Sequence, residues 1–244
     1  MTVNAIIQAR IGSTRLPGKV LMDLHGKPVL EHVILRLQQS AMIDRIIVAT
    51  SMSPENDGLA QAVEGWGIPV FRGNETDVLD RYYEAAKMFP AEVFVRITAD
   101  CPLIDPRITD LVIEAYLSGK GRYVTNAGGD QHLRTFPRGL DTEVFSWELL
   151  AEAHELATEE YEREHVTPYM YWKQDRVFYL KNPVNLSHHR WTLDTWEDYR
   201  FIEEIYKRFY HGDHDFYMDD VVGYLTENPD LRAINNEIKQ KAVV

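Results

Sequence analysis

The sequence predicts an α/β fold in which helices cover both faces of a mostly parallel sheet. Two observations carry this expectation. Through residues 1–120, short apolar runs alternate with segments of helical period, the pattern of parallel strands joined by right-handed crossovers. No Pro- or Ser-rich linker and no internal repeat interrupts the 244 residues, so one domain is expected over residues 1–244.

The elements follow in order. Residues 3–9, VNAIIQA, read as a short buried strand, followed by a loop punctuated with glycine and proline. Residues 28–40 place Leu30, Val33, Ile34 and Leu37 at helical spacing, with Pro28 near the start, where its missing N–H is tolerated. A second strand is predicted over 45–50, then a helix over 54–67 that ends at a glycine. A third strand over 68–72 leads into a helix over 76–89, and a fourth strand over 92–98 into a helix over 106–118. The second half differs. Strand-like pieces are expected around NAGGD (126–130) and FPRGLD (136–141), and 147–173 reads as mostly helical. RVFYLK (176–181) and SHHRWTL (187–193) are predicted as strands. Residues 195–210 form an amphipathic helix with Tyr199, Ile202, Tyr206 and Phe209 on one face, and Thr195 with Asp198 resembles a capping box. The remainder is a helical tail over 213–244 that frays after Asn235.

Composition narrows the function classes. The net charge is −12, which argues against a broad nucleic-acid surface; a local cationic loop is still compatible with it. No apolar run approaches the roughly 20 residues of a membrane span, and residues 1–9 lack the basic leader of a signal peptide. Cys101 is the only cysteine, so neither a disulfide within the chain nor a cysteine zinc cage is possible. The expectation is a cytoplasmic protein without a membrane or nucleic-acid partner.

Against that acidic background, residues 8–21, QARIGSTRLPGKVL, collect Arg10, Arg15 and Lys19, the hydroxyls of Ser13 and Thr14, and Gly12 and Gly18. Glycines let backbone approach a ligand closely, and a cationic loop leaving a strand suits a polyphosphate. The spacing is neither GxxxxGK[ST] nor GxGxxG, and a solvated basic turn is the plain alternative. RITADCPLIDP (96–106) supplies Asp100 after a strand and Asp105 before Pro106. Asp105 is assigned as the helix cap and Asp100 as a ligand for Mg²⁺ against phosphates, with Cys101 a buried small residue rather than a nucleophile. Asp194 in RWTLDTWED (190–198) caps the next helix or completes the metal site, and the cap is favoured on pattern alone. Asp80 and Arg81 read as a solvated helical face. Arg138, Asp141 and His165 are polar residues inside packed segments, and His188–His189 has no partner at metal spacing. Both cationic and acidic loops, 10–19 and 98–105, leave carboxyl ends of strands, where ligands bind in such sheets, so they are expected at one sheet edge.

These motifs resemble, in the same order, those of the sugar-acid cytidylyltransferases that activate Kdo and N-acylneuraminate as CMP derivatives. QARIGSTRLPGKVL is similar to the signature loop. RITADCPLIDP, PRGLDTEVF, REHVTPY and RWTLDTWEDY resemble the branch of the spore coat polysaccharide biosynthesis protein F type. The resemblance spans residues 3–205. It implies a three-layer, Rossmann-like nucleotidyltransferase of the glycosyltransferase-A kind, with a nucleotide half over 1–120 and an acceptor and dimerisation half over 121–212. It also implies a homodimer, with an inserted β segment over 136–145 reaching the partner. By the same resemblance, CTP lies along Ala9, Arg10, Gly12, Ser13, Arg15, Lys19, Asp80, Arg81 and Asp100. Lys19, Arg10 and Asp100 are its catalytic set. Asp100 and Asp194 hold Mg²⁺, and Arg138, His165 and Arg190 approach the sugar or sugar acid. A sugar hydroxyl attacks the α-phosphorus and pyrophosphate leaves, chemistry that needs alignment and charge neutralisation rather than a covalent nucleophile. The chain departs from the Kdo enzymes, which typically carry Gly-Asp-Glu-Pro, at Ala99-Asp100-Cys101-Pro102. That change puts Kdo itself in doubt as substrate. Two other classes stand beside this one. A nucleotide-sugar glycosyltransferase would use an Asp-x-Asp pair, for which Asp213-His214-Asp215 is the candidate, in a stretch that reads as loop. A non-catalytic nucleotide-binding protein would bind without turnover.

Overall fold

Every side chain of β1 (Val3–Gln8) except the last is buried, because the strand is covered on both faces. Ala5 and Ile7 enter one core and Ile6 the other, the period-2 alternation of a strand. The structure, a computed structural model, describes residues 1–127 and 132–238. After β1 come the small hairpin β2 (Asp23–Leu24) and β3 (Lys27–Pro28), then α1 (Val29–Leu37) and β4 (Arg45–Ser51). α2 (Asp57–Gly65), β5 (Val70–Gly73), α3 (Val78–Met88), β6 (Val93–Thr98) and α4 (Pro106–Leu117) complete the first half. The second half holds β7 (Tyr123–Thr125), β8 (Glu143–Ser146), α5 (Trp147–Leu156), α6 (Glu160–His165), α7 (Pro168–Trp172), β9 (Val177–Tyr179), α8 (Trp196–Phe209) and α9 (Met218–Glu227).

Seven strands form one mixed, mostly parallel sheet in the order β5-β4-β1-β6-β8-β7-β9. β5, β4, β1 and β6 are parallel; β8 runs antiparallel to both β6 and β7, and β9 is parallel to β7. β8 alone therefore runs against the rest. Strands from both sides of residue 120 share the sheet, so the division expected there is not a break in its core.

The layers follow from which residues each helix presents. Leu30, Val33, Ile34 and Leu37 of α1, with Leu59 and Val63 of α2 and Val112 of α4, cover one face. Val78, Leu79 and Tyr82 of α3, Leu149 and Leu150 of α5, and Met170 of α7 cover the other. A third core lies under the loops: Leu16, Leu103, Leu140, Trp191 and Leu193 pack on Phe201, Ile202, Ile205 and Tyr206 of α8 and on Val221 and Leu225 of α9. No helix among the described residues is long and apolar enough to cross a membrane.

Two expectations on strands are corrected. SHHRWTL and FPRGLD form no strands; they meet in a single bridge between Arg138 and Arg190. Gly139 accounts for this. It has φ +98°, and a Cβ there would lie 2.6 Å from the carbonyl carbon of Trp191, so the two segments touch backbone to backbone and turn instead of extending. Of NAGGD, residues 128–130 lie outside the described residues, and so do the last six residues of the tail. Within the segment 136–145, Phe136 and Leu140 are buried in the third core, while Glu143, Val144 and Phe145 belong to β8.

α1 and the stretch before α9 are joined by two histidines. His32 Nε2 lies 2.6 Å from the Leu24 carbonyl and Nδ1 lies 2.8 Å from His214 Nε2. With His32 Nε2–H donating to Leu24, Nδ1 accepts from His214, so two neutral rings satisfy each other. Burial holds the His32 pKa down to about 4. Burial, then His32 and Arg36, hold that of His214 down to about 3. The unfolded chain takes up these protons below about 6.5 while the folded chain does not, so stability falls as pH drops from there toward 4. Urea unfolding should show the folded state weaker at pH 5 than at pH 7.5 by about 2 kcal/mol for one such histidine. His214→Asn should flatten that dependence, and an unchanged slope would clear the pair of responsibility.

Candidate active site

The order reversal in the sheet places β1 between β4 and β6, and Gln8 at the end of β1 pairs in register with Thr98 at the end of β6. The loops that leave these two strands therefore start side by side at the carboxyl edge, where a doubly wound sheet opens a cleft. The first loop is held by its own backbone. Ile11 O accepts from Ser13 N at 2.7 Å and from Gly18 N at 3.1 Å, and Ile11 N donates to Asn56 Oδ1. Gly18 takes φ +72°, a left-handed conformation that glycine adopts at little cost, and starts the 3₁₀ turn Lys19–Leu21. The second loop is clamped from three sides. Asp100 O accepts from Leu193 N at 2.8 Å, Pro102 O from Tyr206 Oη at 2.6 Å, and Ile104 O from Arg36 Nε at 2.6 Å.

Between the loops lies the Lys19 ammonium, almost wholly buried. It donates to Asp100 Oδ2 at 2.7 Å, to the Leu193 carbonyl at 2.8 Å and to Asp194 Oδ1 at 2.8 Å, which uses all three of its hydrogens. Burial alone lowers a lysine pKa; here the Asp100 and Asp194 charges outweigh it and raise the value, so the group is charged. Burial likewise acts to raise Asp100, but Lys19 holds its pKa below the usual carboxylate range.

Asp194 is a point of convergence. Its Oδ1 meets Arg15 at 3.0 Å as well as Lys19, and its Oδ2 accepts from Arg190 at 2.8 Å. It does not cap α8; Thr195 and Asp198 do, by the capping box expected of them. Fully buried Asp198 also takes Arg190 in a bidentate grip at 2.8 and 3.0 Å and accepts from Asp194 N and Asn235 Nδ2 at 3.0 Å each. Asp105, as expected, caps α4, accepting from Arg107 N at 2.9 Å, and it also takes Met218 N of α9 at 2.8 Å.

A cavity of about 390 Å³ opens over this pair of loops. Ala9, Arg10, Gly12, Ser13, Arg15, Lys19, Arg81, Asp100, His165 and Asp194 all line it. Arg10 and Arg15 are half-exposed at its mouth. Arg81 is buried and donates to the carbonyls of Asn74 and Glu75, so it shapes the wall through the loop before α3. Sequence reasoning assigned no role to Gln8, Thr98 and Glu164, which also line it. Gln8 is held by Arg96 Nε at 3.1 Å, and Arg96 pairs with Glu143 of β8 at 2.6 Å. His165 ends α6 beside Val166, whose φ of +72° is strained for a β-branched residue and is held by complete burial.

Three expected residues stand elsewhere. The Asp80 carboxylate turns toward α5 and lies 2.9 Å from His154 Nε2, outside the cavity lining. Arg138 and Arg190 line a separate cavity behind Asp194. The reason is local: Asp80 and Arg81 are adjacent on α3, so their side chains point about 100° apart. The Asp213-His214-Asp215 candidate is also remote from the cavity, with its histidine buried against α1. Cys101 is buried, and burial, then Asp100 and Asp141, push its thiol well above the usual range, which leaves it protonated and inert. Among the described residues no group of three or more His, Cys, Asp or Glu converges as a metal site; the two carboxylates that meet at Lys19 are Asp100 and Asp194. Replacing Lys19 with Met should strand two acids at the cleft and lower stability by about 3 kcal/mol in urea unfolding; an unchanged midpoint would show that the ion pair contributes nothing net.

Known proteins resemble this chain. The cytidylyltransferase family profile matches residues 4–218. The chain is 34% identical over 235 residues to the spore coat polysaccharide biosynthesis protein SpsF of Bacillus subtilis, covering 92% of this chain and 94% of that protein. Over 116 residues it is 41% identical to 3-deoxy-manno-octulosonate cytidylyltransferase of Geobacter sulfurreducens, covering 46% of this chain and 44% of that one. A solved cytidylyltransferase from Leptospira borgpetersenii superposes with a TM-score of 0.89 at 33% identity, covering 99% of each chain. The profile spans residues 4–218 and the identity to SpsF extends over 92% of the chain, so the chain belongs to the cytidylyltransferase family.

Proposed function

We propose that the protein transfers CMP from CTP to a hydroxyl of a sugar or sugar acid with Mg²⁺ and releases pyrophosphate, making an activated sugar for a surface or spore-coat polysaccharide. The single observation that carries this reading is Lys19 held between Asp100 and Asp194 at the edge where the basic loop leaves β1. The names of the relatives support the substrate class: one acts on 3-deoxy-manno-octulosonate and one belongs to spore-coat polysaccharide synthesis. The same reading makes the protein a cytoplasmic homodimer, supported by the family resemblance.

The donor set suits a hard cation. Asp100 and Asp194 offer carboxylate oxygens that already converge on one positive charge, and Asp100 Oδ1 is met by the weakly donating Cys101 thiol at 3.6 Å. Mg²⁺ bound by these two carboxylates and phosphate oxygens would neutralise charge on the triphosphate. The chain's own groups do the rest. Lys19 stays charged and keeps the two aspartates together without leaving its buried seat. Arg15 and Arg10, half-exposed, turn from Asp194 and Glu75 to the phosphates, exchanging one oxyanion for another. Arg190 retains Asp194 through Oδ2 while Oδ1 serves the cleft. With inert Cys101 the nearest thiol, attack falls to the acceptor hydroxyl itself, and positioning supplies the rate.

Thermal melting with each of the four nucleoside triphosphates tests the reading first. CTP with Mg²⁺ should give the largest rise, since a ligand that binds only the folded state stabilises it by mass action. A rise only with nucleoside diphosphate sugars would move the protein to the glycosyltransferases, and binding without pyrophosphate release would make it a non-catalytic module. Asp100→Asn should cut Mg²⁺-dependent turnover by at least about 100-fold with the fold intact; an unaltered rate would remove Asp100 from the mechanism. In calorimetry Arg15→Ala should weaken CTP far more than cytidine, and equal losses would contradict its phosphate role.

A further inference from the structure

A second cavity of about 300 Å³ lies on the far side of Asp194 and shares no lining residue with the first. The Arg190–Asp194 pair stands between them, since Arg190 lines one and Asp194 the other. Three stretches distant in sequence build this second cavity: Arg138, the run His188–His189–Arg190, and the C-terminal turn with Arg232 and Asn235.

Its charge is unusual for a chain with a net charge of −12. Among the described residues, no aspartate or glutamate lines it. Arg190 is neutralised by Asp194 and Asp198, and nearby Arg134 by a bidentate pair with Asp141 at 2.5 and 2.8 Å. Arg138 and Arg232 form no direct ion pair among the described residues; the Asp141 carboxylate that grips Arg134 acts on Arg138 only at longer range. Arg138 is part-buried, and burial, then the charge of Arg134, lower its pKa against the pull of Asp141, so the positive charge facing the pocket is only partly compensated. Burial keeps His189 neutral, down at about 4, so its ring offers a hydrogen-bond donor without adding to that charge. Two guanidiniums outside any direct ion pair in a concave polar site match a phosphate group, which carries −1.5 to −2 near neutral pH and takes bidentate guanidinium contacts.

We propose that this cavity is a second ligand site that binds a phosphate group, free or carried on a small molecule, through Arg138 and Arg232. The inference does not depend on the reaction assigned to the first cavity. Histidine ring signals of the full chain, followed by nuclear magnetic resonance during titration with inorganic phosphate, report on it directly. His188 and His189 should shift together and saturate. They should do so equally in Arg10→Gln, which removes a cation of the basic loop of the other cavity and leaves the Arg190–Asp194 pair in place. Arg138→Gln should weaken the response about tenfold, the loss of one charge-assisted contact. Arg232→Gln, at an exposed position, should weaken it as well. No shift at either histidine, or a shift lost in Arg10→Gln and kept in the Arg138 and Arg232 variants, would overturn the proposal. Methyl phosphate separates the sources: tighter binding than inorganic phosphate supports a phosphate ester, and weaker binding supports the free ion.

Discussion

The architecture of the cleft depends on one buried ammonium. Lys19 has three hydrogens and three acceptors, and those acceptors belong to the loops after β6 and before α8. An amine this enclosed would lose its proton if burial acted alone, and two carboxylates this close would repel each other without it. Each charge is tolerated because the other is present. The constraint passes outward. Asp194 is fixed by Arg190, Arg190 by Asp198, and Asp198 by the first turn of α8 and by Asn235 near the C-terminal end of the described chain. A carboxylate that serves as a helix cap thus also anchors the wall of the cleft, and residues far from any nucleotide determine where its acids stand.

Topology makes that contact possible. Lys19 and Asp100 are 81 positions apart and Lys19 and Asp194 are 175 apart, yet all three stand at one edge of the sheet. The parallel strands β1 and β6 deliver the first two at adjacent carboxyl ends. The third arrives on a non-strand segment that crosses beneath the second loop, with Leu193 N bonded to Asp100 O. The third core supports this crossing: Leu16 and Leu193, neighbours of the charged residues, are both buried against α8. Apolar burial and the ion-pair network are therefore parts of one construction, and the apolar part supplies the driving force.

Much of the fold was legible because its signals are local. The helical spacing of Leu30, Val33, Ile34 and Leu37, the continuous apolar runs of β1 and β6, and the Thr195–Asp198 box each announce an element within a few residues. The basic loop was legible for the same reason, since composition alone marks it in an acidic chain. SHHRWTL misled because its end, RWTL, alternates polar and apolar residues as a strand does. The segment is instead bent by the close backbone approach of Gly139, a contact between positions about 50 apart that no local pattern carries.

The sequence by itself determined the strand–helix alternation of the first half, the cationic loop, the single cysteine and the acid placed after β6. All of these are properties of short windows, governed by periodicity, propensity and charge. Tertiary structure decided which acid faces which cation. It turned Asp80 to His154 and Arg81 to the backbone, directed Asp194 into the cleft instead of onto a helix end, and gathered Arg138 and Arg232 into a second cavity. The physical reason is range. Propensity acts within a turn or two, whereas a buried charge takes its partner from whatever the packed sheet brings within about 3 Å.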